Sequence, residues 1–211
     1  MPPTRPPHQD ASDHPDRTDR PDRGLAARPA NGAEPPHGWL LLIYRVPSEP
    51  TRLRSGVWRR LKGLGAIYLQ NSAAALPAST AGERALRTLR KEISEMGGVA
   101  YLLGCDVLAG ESDVLAAFNA ARNDEYEEIV DKCADFQTQL QKEYVAHHFT
   151  YAELEENDED LTKLRNWFAK VRARDVFGAA GMAATQDALD ECERSLEEYA
   201  ARVYAEEGES S

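Results

Sequence analysis

The sequence is poor in cysteine and contains no long apolar run. Its 211 residues include three cysteines, Cys105, Cys133 and Cys192, which lie far apart and show no CxxC spacing. Neither a disulfide framework nor a zinc site is indicated, and a reducing cytoplasm is the expected location. The longest apolar run, Trp39 to Tyr44, is far shorter than the roughly 20 residues that cross a bilayer, so no membrane partner is expected.

Enzyme motifs are also missing. The chain has no GxSxG, Walker loop, HExxH or GxGxxG sequence. His147 and His148 are adjacent, so on a helix they point about 100° apart and do not form a two-ligand face. The acids between residues 155 and 160 lack the glycine of a calcium loop and predict a solvated turn. We therefore expect no catalytic residue, no metal and no cofactor.

The net charge of −11 is unevenly distributed along the chain. Residues 38–110 carry ten Lys and Arg against five acids, whereas residues 111–211 carry ten against twenty-five. Residues 1–37 hold nine of the twelve prolines, with aspartates and arginines alternating between them. This segment has too few apolar side chains to offset its ordering entropy, so it is predicted to be a disordered tail. A basic region is thus followed by a strongly acidic one.

The basic region has the pattern of alternating strands and helices. Leu40 to Tyr44 predict a buried strand, and Ser48 and Pro50 indicate the start of a helix over 51–64. Asn71-Ser72 predict a hairpin turn, and Thr80 with Glu83 has the spacing of a capping box before a second helix. Residues 99–107 form a fourth predicted strand. The order β-α-β-β-α-β in residues 38–110 predicts a ferredoxin-like α+β sandwich.

The acidic region, residues 111–207, has helical periodicity. Three narrow apolar seams are predicted to pack on one another as a helical hairpin or bundle, which could also form a homodimer. Cys133 and Cys192 lie in these seams and are expected to act as small buried apolar residues. The seam residues are Ile129, Cys133, Phe136 and Leu140, then Leu161, Leu164, Phe168 and Val171, then Leu189, Cys192, Leu196, Tyr199 and Val203.

The richest cluster of candidate site residues lies between residues 45 and 62. It contains Arg45, Arg52, Arg54, Arg59, Arg60 and Lys62 against one acid, Glu49. These side chains could contact nucleic-acid phosphates, or hold a small oxyanion through charge-assisted hydrogen bonds. A solvated face, or one that docks on the acidic helices of the same chain, is an equally weighted alternative. Gly56 and Gly63 lie on the same helical face, where a partner could approach closely.

A second basic cluster contains Arg172 and Arg174 at the end of a predicted helix. The helix dipole alone can account for cations at this position. An anion site shared with Arg45 is the functional alternative. Both arginines are kept as candidate DNA- or oxyanion-binding residues.

The segment GWLLLIYRVPSEPTRLRSGVWRRLKGLGAIYLQNSAAALP, residues 38–77, resembles the start of the N-terminal domain of the chromate-resistance regulator ChrB. The resemblance continues through RARDVFG and CERSLEEYAARVY to about residue 205. It implies a transcriptional regulator that responds to chromate and controls chromate efflux, with a fold similar to the Cas2-like domain of PaaX-type repressors. Promoter DNA and chromate, or a similar oxyanion, are the implied partners.

Two departures from the family pattern qualify this expectation. Many members carry a further C-terminal domain, so a separate sensor protein is an expected partner of this chain. Ala73-Ala74-Ala75 stand where bulky residues are expected, which predicts a weakly specified third strand. An interaction module without DNA binding is the alternative function. A metal-dependent nuclease is remote, because Tyr44-Arg45 stand at the strand end where such enzymes place an acid.

Overall fold

The computed structural model describes residues 38–209, so the predicted tail over residues 1–37 lies outside the described residues. Over residues 38–209 the protein is α+β, with a four-stranded sheet and five helices. In chain order the elements are β1 (Trp39–Arg45), α1 (Thr51–Leu64), β2 (Ile67–Gln70), β3 (Ala73–Pro77), α2 (Thr80–Glu95), β4 (Val99–Cys105), α3 (Glu111–Ala146), α4 (Tyr151–Arg174) and α5 (Gly181–Glu209).

The sheet has the strand order β2-β3-β1-β4, and every neighbouring pair is antiparallel. Helices α1 and α2 cover one face, because each presents an apolar stripe to it. Val57 and Leu61 of α1 join Leu86 and Ile93 of α2 in a core with Leu42 of β1. This core holds α1 against the sheet and leaves the opposite side of the helix exposed.

The alanine-rich strand β3 lies inside the sheet, between β1 and β2. Ala74 packs in the helix-side core, and Ala75 packs on the other face with Trp39, Ile67 and Phe118. Both alanines are almost fully buried. Small side chains suit this strand because large neighbours cover both of its faces, so weak intrinsic strand preference is outweighed by packing.

The predicted bounds of α1, residues 51–64, are confirmed, but the predicted capping residues of α1 and α2 are wrong. The residue before α1 is Pro50, without a side-chain hydrogen bond to the helix, so Ser48 does not cap it. The cap of α2 is Ser79, whose Oγ accepts a hydrogen bond from the Gly82 amide at 3.0 Å. The predicted capping box at Thr80 and Glu83 is therefore misplaced, because adjacent hydroxyl residues give similar sequence signals.

Helices α3, α4 and α5 pack on one another around a single apolar core. Twelve of the thirteen predicted seam residues are buried in it, and Leu164 packs partly buried against it. Cys133 and Cys192 are among the buried residues, as predicted. The acidic side chains lie mostly on the outer surfaces of these helices.

The first part of α3 and the segment after α4 lie against the sheet face that α1 and α2 leave open. Phe118 and Phe177 contact Trp39, with ring centroids 6.0 and 5.8 Å away. Behind these rings, Arg122 donates from Nη1 to the Gly65 carbonyl at 2.9 Å. Aromatic packing and a buried arginine therefore join the three-helix bundle to the end of α1.

Candidate nucleic-acid and anion interface

The outer side of α1 is an exposed cationic surface. Arg52, Arg59 and Lys62 project from the side opposite the apolar stripe, and all three are exposed. Within residues 38–209, none of them forms a salt bridge with a carboxylate. Docking of this surface on the acidic helices does not occur in this structure. We call Arg52, Arg59 and Lys62 the α1 outer face.

Arg60 points toward α2 and is not part of the α1 outer face. Its Nη2 lies 3.0 Å from Glu92 Oε1 of α2, in an exposed ion pair. The Lys62 ammonium lies 5.6 Å from the centroid of the Trp58 ring, one helical turn before it. The helix therefore sends its cations in three directions: outward, toward α2, and toward the hairpin β2–β3.

Two glycines, Gly56 and Gly63, leave the exposed side of α1 without side chains at their positions. A Cβ added at Gly56 or Gly63 would have no heavy atom within 4 Å, outside its chain neighbours and the helix backbone. A glycine inside a helix costs about 1 kcal/mol relative to alanine. The described part of the chain shows no packing that requires glycine at either position. Both positions therefore leave room for a bound partner.

A cleft of about 710 Å³ opens between α1, the end of β1 and the hairpin β2–β3. We call it the hairpin cleft. Arg45 and Arg54 line it, and neither forms a salt bridge within the described residues. No carboxylate is among the lining side chains. The other lining residues are Tyr44, Val46, Thr51, Ser55, Trp58, Tyr68, Asn71 and Ser72.

Two tyrosines form one wall of the hairpin cleft. The hydroxyls of Tyr44 and Tyr68 are 3.0 Å apart, within hydrogen-bond distance. Burial, with a further contribution from the Tyr44 hydrogen bond, raises the pKa of the Tyr68 hydroxyl above its ordinary value. One of the two hydroxyls donates to the other, so the pair has a single O–H left to donate to a ligand. The Tyr44 amide also donates to the Ser72 carbonyl at 2.9 Å, which holds the turn beside β1.

Arg174 links the end of α1 to α3, and we call the contacts of Arg122 and Arg174 with Gly63, Gly65 and Glu125 the junction. Arg174 Nη1 donates to the Gly63 carbonyl at 2.9 Å, and its Nη2 donates to Glu125 Oε1 at 2.7 Å. Arg122 Nε lies 2.9 Å from Glu125 Oε2, at an angle that does not make a hydrogen bond. The guanidinium of Arg174 thus holds the end of α1 against α3 instead of facing solvent.

Arg172 lies in a different place from both clusters. It is exposed, its guanidinium lies 5.9 Å from the Phe168 ring centroid, and it lines a separate cleft between α4 and α5. The next acid, Asp175, is buried and accepts hydrogen bonds from the Gly178 and Ala179 amides. The segment RARDVFG therefore has a structural role in this fold. Arg172 does not line the hairpin cleft, where Arg45 lies.

Sequence reasoning missed the aromatic side of the site. Trp58, Tyr44 and Tyr68 were not candidates, although Trp58 lies three to four residues from Arg54, Ser55 and Lys62 and must share their helical face. The tyrosines come from different strands, and only the folded hairpin brings them together.

Metal binding, membrane insertion and nuclease chemistry are the remaining questions raised by the sequence. No group of three or more His, Cys, Asp or Glu side chains in residues 38–209 is placed to hold a metal ion. None of the helices over the same residues is long and apolar enough to span a membrane. Tyr44 and Arg45 stand at the end of β1, as the sequence indicated.

The described residues define an α+β protein that exposes a cationic helix and an acid-free cleft beside an acidic three-helix bundle. The chain belongs to the family described as protein ChrB, N-terminal, whose model matches residues 54–210.

A curated relative gives a second, shorter match. Over 98 residues the chain is 31% identical to Protein ChrB of Cupriavidus metallidurans. These residues make up 46% of this chain. The matched segment spans only 30% of that relative's length.

Proposed function

We propose that this protein is a transcriptional regulator of chromate resistance, which binds promoter DNA through the α1 outer face and controls chromate efflux. The observation that carries the proposal is that Arg52, Arg59 and Lys62 are exposed and form no ion pair within residues 38–209, although the chain has a net charge of −11. If acids of the same chain neutralised these cations, the surface would be an ordinary solvated face. The α1 outer face instead keeps its positive charge available to a partner. Family membership supports the chromate-related role.

The structural units in this proposal are those expected from the sequence. Residues 38–110 form a ferredoxin-like unit that carries the DNA contacts, and residues 111–207 form the helical unit packed on it. Arg52, Arg59 and Lys62 contact phosphates, with Arg60 reaching them after release from Glu92. Each phosphate contact contributes salt-dependent affinity through counterion release. The protein acts in the cytoplasm as a homodimer, so two such faces meet one duplex.

A direct test is the binding of a labelled duplex that carries the upstream region of the protein's own gene. The double variant R52E/R59E should bind at least about tenfold more weakly, and its slope of log affinity against log salt should fall by about 2. The matched control is K142E/K170E, which makes the same charge change at exposed lysines of the bundle that form no salt bridge within residues 38–209. Equal loss in both double variants would contradict the proposal.

Chromate sensing is assigned to a separate sensor protein in this proposal. A cleft of about 710 Å³ is far larger than a five-atom oxyanion requires; it lies within the range of pockets for organic ligands, about 300–1,000 Å³. Isothermal titration with sodium chromate tests this assignment. Micromolar binding that R45A or R54A abolishes would place the sensor in this chain instead.

A specific observation favours a second function, an interaction module. Ile43, Val99, Tyr101 and Leu103 are exposed on the sheet face that α3 covers only in part. An exposed apolar patch of this kind is typical of a protein interface. Light scattering coupled to gel filtration would detect self-association. A dimer that Y101E converts to monomer, combined with duplex affinity that R52E/R59E leaves unchanged, would favour this function over DNA binding.

A further inference from the structure

We propose that the hairpin cleft binds a nucleobase together with its phosphate: the base stacks on Trp58, and Arg45 and Arg54 hold the phosphate. The inference names a ligand class for a cleft whose lining residues the duplex contacts of the proposed function do not use. It rests on the proposed function only in assigning the protein to nucleic-acid chemistry.

Trp58 is the aromatic element of this site. Its side chain is 48% exposed, whereas Trp39 is 7% exposed in the core. About half of this large ring is open to solvent in a cleft lined by arginines, so it is available to stack on a ligand. Stacking on a ring of this kind accepts any base, because every base has a π face. The Lys62 ammonium beside the ring adds positive charge at the same rim.

The charge of the cleft suits the phosphate group of a nucleotide. Seven of the fourteen arginines in residues 38–209 form ion pairs with carboxylates, among them Arg60, Arg87, Arg122 and Arg174. Arg45 and Arg54 have no such partner, and no acid lines the cleft. Guanidinium groups bind phosphate oxygens through paired hydrogen bonds. An anionic ligand therefore enters without displacing an existing ion pair.

The remaining polar groups match the edge of a base. Tyr44 and Tyr68 present hydroxyls, and Asn71 presents a side-chain amide that can both donate and accept. At about 710 Å³ the cleft accommodates a mononucleotide, and a lone oxyanion would leave the ring and these groups unused. The ligand can be a free nucleotide or an unpaired base of a nucleic-acid strand, since both carry the same chemistry.

The experiment titrates the full chain with AMP, with a single-stranded oligothymidylate and with sodium sulfate, and follows heat and tryptophan fluorescence. Binding by AMP in the submillimolar range identifies a free nucleotide, whereas binding by the oligonucleotide alone identifies a single strand. W58A and R54A should each weaken binding by about tenfold or more, and W58F should retain it. The matched control R84A removes an exposed arginine of α2 and should change nothing.

Three results would overturn the proposal. They are failure of both nucleotide probes at millimolar concentration, unchanged affinity in W58A, and sulfate binding as tight as AMP with no change in fluorescence. Circular dichroism verifies that the variants fold, and Trp58 is exposed enough for W58A to do so. Duplex binding is measured in parallel. W58A should retain it and R52E/R59E should lose it, so failure of this site and failure of the proposed DNA face are distinguishable.

Discussion

Gly65 directly follows α1, at the contact between the sheet unit and the three-helix bundle. Its φ is +77°, in the left-handed region where a helix commonly ends on glycine. An added Cβ would lie 2.6 Å from Arg122 Nη1 and 2.9 Å from Arg174 Cδ. Conformation and space therefore both require glycine at this position.

We expect G65A to destabilise the protein by about 1–3 kcal/mol through backbone strain alone, and by more if the arginines must move. Urea unfolding measures the change. G63A is the matched control, because its Cβ would meet nothing and its φ is not in the left-handed region. If the two variants unfold at the same urea concentration, the junction is not closely packed at Gly65.

Tyr199 is one of the buried tyrosines that make stability depend on pH. It has no exposed surface and donates to the His148 carbonyl. Burial, followed by the charges of Glu143 and Glu153, raises the pKa of Tyr199 to about 12. An unfolded tyrosine loses its proton near pH 10, so deprotonation above this pH favours the unfolded state.

The free energy of unfolding should therefore be insensitive to Tyr199 below pH 10. Between about pH 10 and 12 this group should lower it by about 1.4 kcal/mol per pH unit. Urea unfolding at a series of alkaline pH values tests the prediction. Y199F should flatten the decline, whereas Y204F, at an exposed tyrosine, should leave it unchanged. An unaltered slope in Y199F would show that Tyr199 does not titrate with a raised pKa.

At the scale of elements, α1 combines a buried stripe that the sequence predicts well with an outer side that it predicts only in part. Leu53, Val57, Leu61 and Leu64 recur with helical spacing, so they indicate the buried side. The seams of α3 to α5 are predictable for the same reason. Periodicity reports a helix face, but not which other element lies opposite it.

The hairpin cleft and the junction could not be predicted for that reason. Tyr44 meets Tyr68 across 24 residues, and Arg174 meets Gly63 across 111 residues. No local pattern records such contacts. Arg172 and Arg174 look equivalent in sequence, yet one is exposed and the other lies in the junction. Arg52, Arg59 and Arg60 look like one basic group, yet only Arg60 is paired.

Gly56 allows the function of the α1 outer face to be separated from its stability. We expect G56A to stabilise the protein by about 0.5–1 kcal/mol, because alanine is the better helix former and its Cβ meets nothing. The same methyl group would stand between Arg52 and Arg59 and hinder a closely bound phosphate backbone. Thermal unfolding and duplex binding should therefore change in opposite directions. Higher stability with unchanged affinity would show that the partner does not approach this glycine.

At the scale of the whole molecule, the charge is divided between a basic sheet unit and an acidic bundle. The bundle does not neutralise the α1 outer face in this structure, so both fields act on an approaching polyanion. Glu128 lies six residues along α3 from Arg122, about 9 Å along the helix axis. This is close to the Debye length of about 10 Å at 0.1 M salt. The acids nearest the junction should therefore repel DNA at low salt.

Neutralising three of these acids tests whether the bundle opposes DNA binding. Glu127, Glu128 and Asp131 are exposed and form no salt bridge within the described residues. E127Q/E128Q/D131N should accelerate association with the duplex severalfold at about 0.01 M salt, where the Debye length is about 30 Å. The gain should disappear near 1 M salt, where the length is about 3 Å. Stopped-flow fluorescence measures both rates. A gain that persists at high salt would mean that the acids touch the DNA directly, and no gain at low salt would mean that the bundle faces away from it.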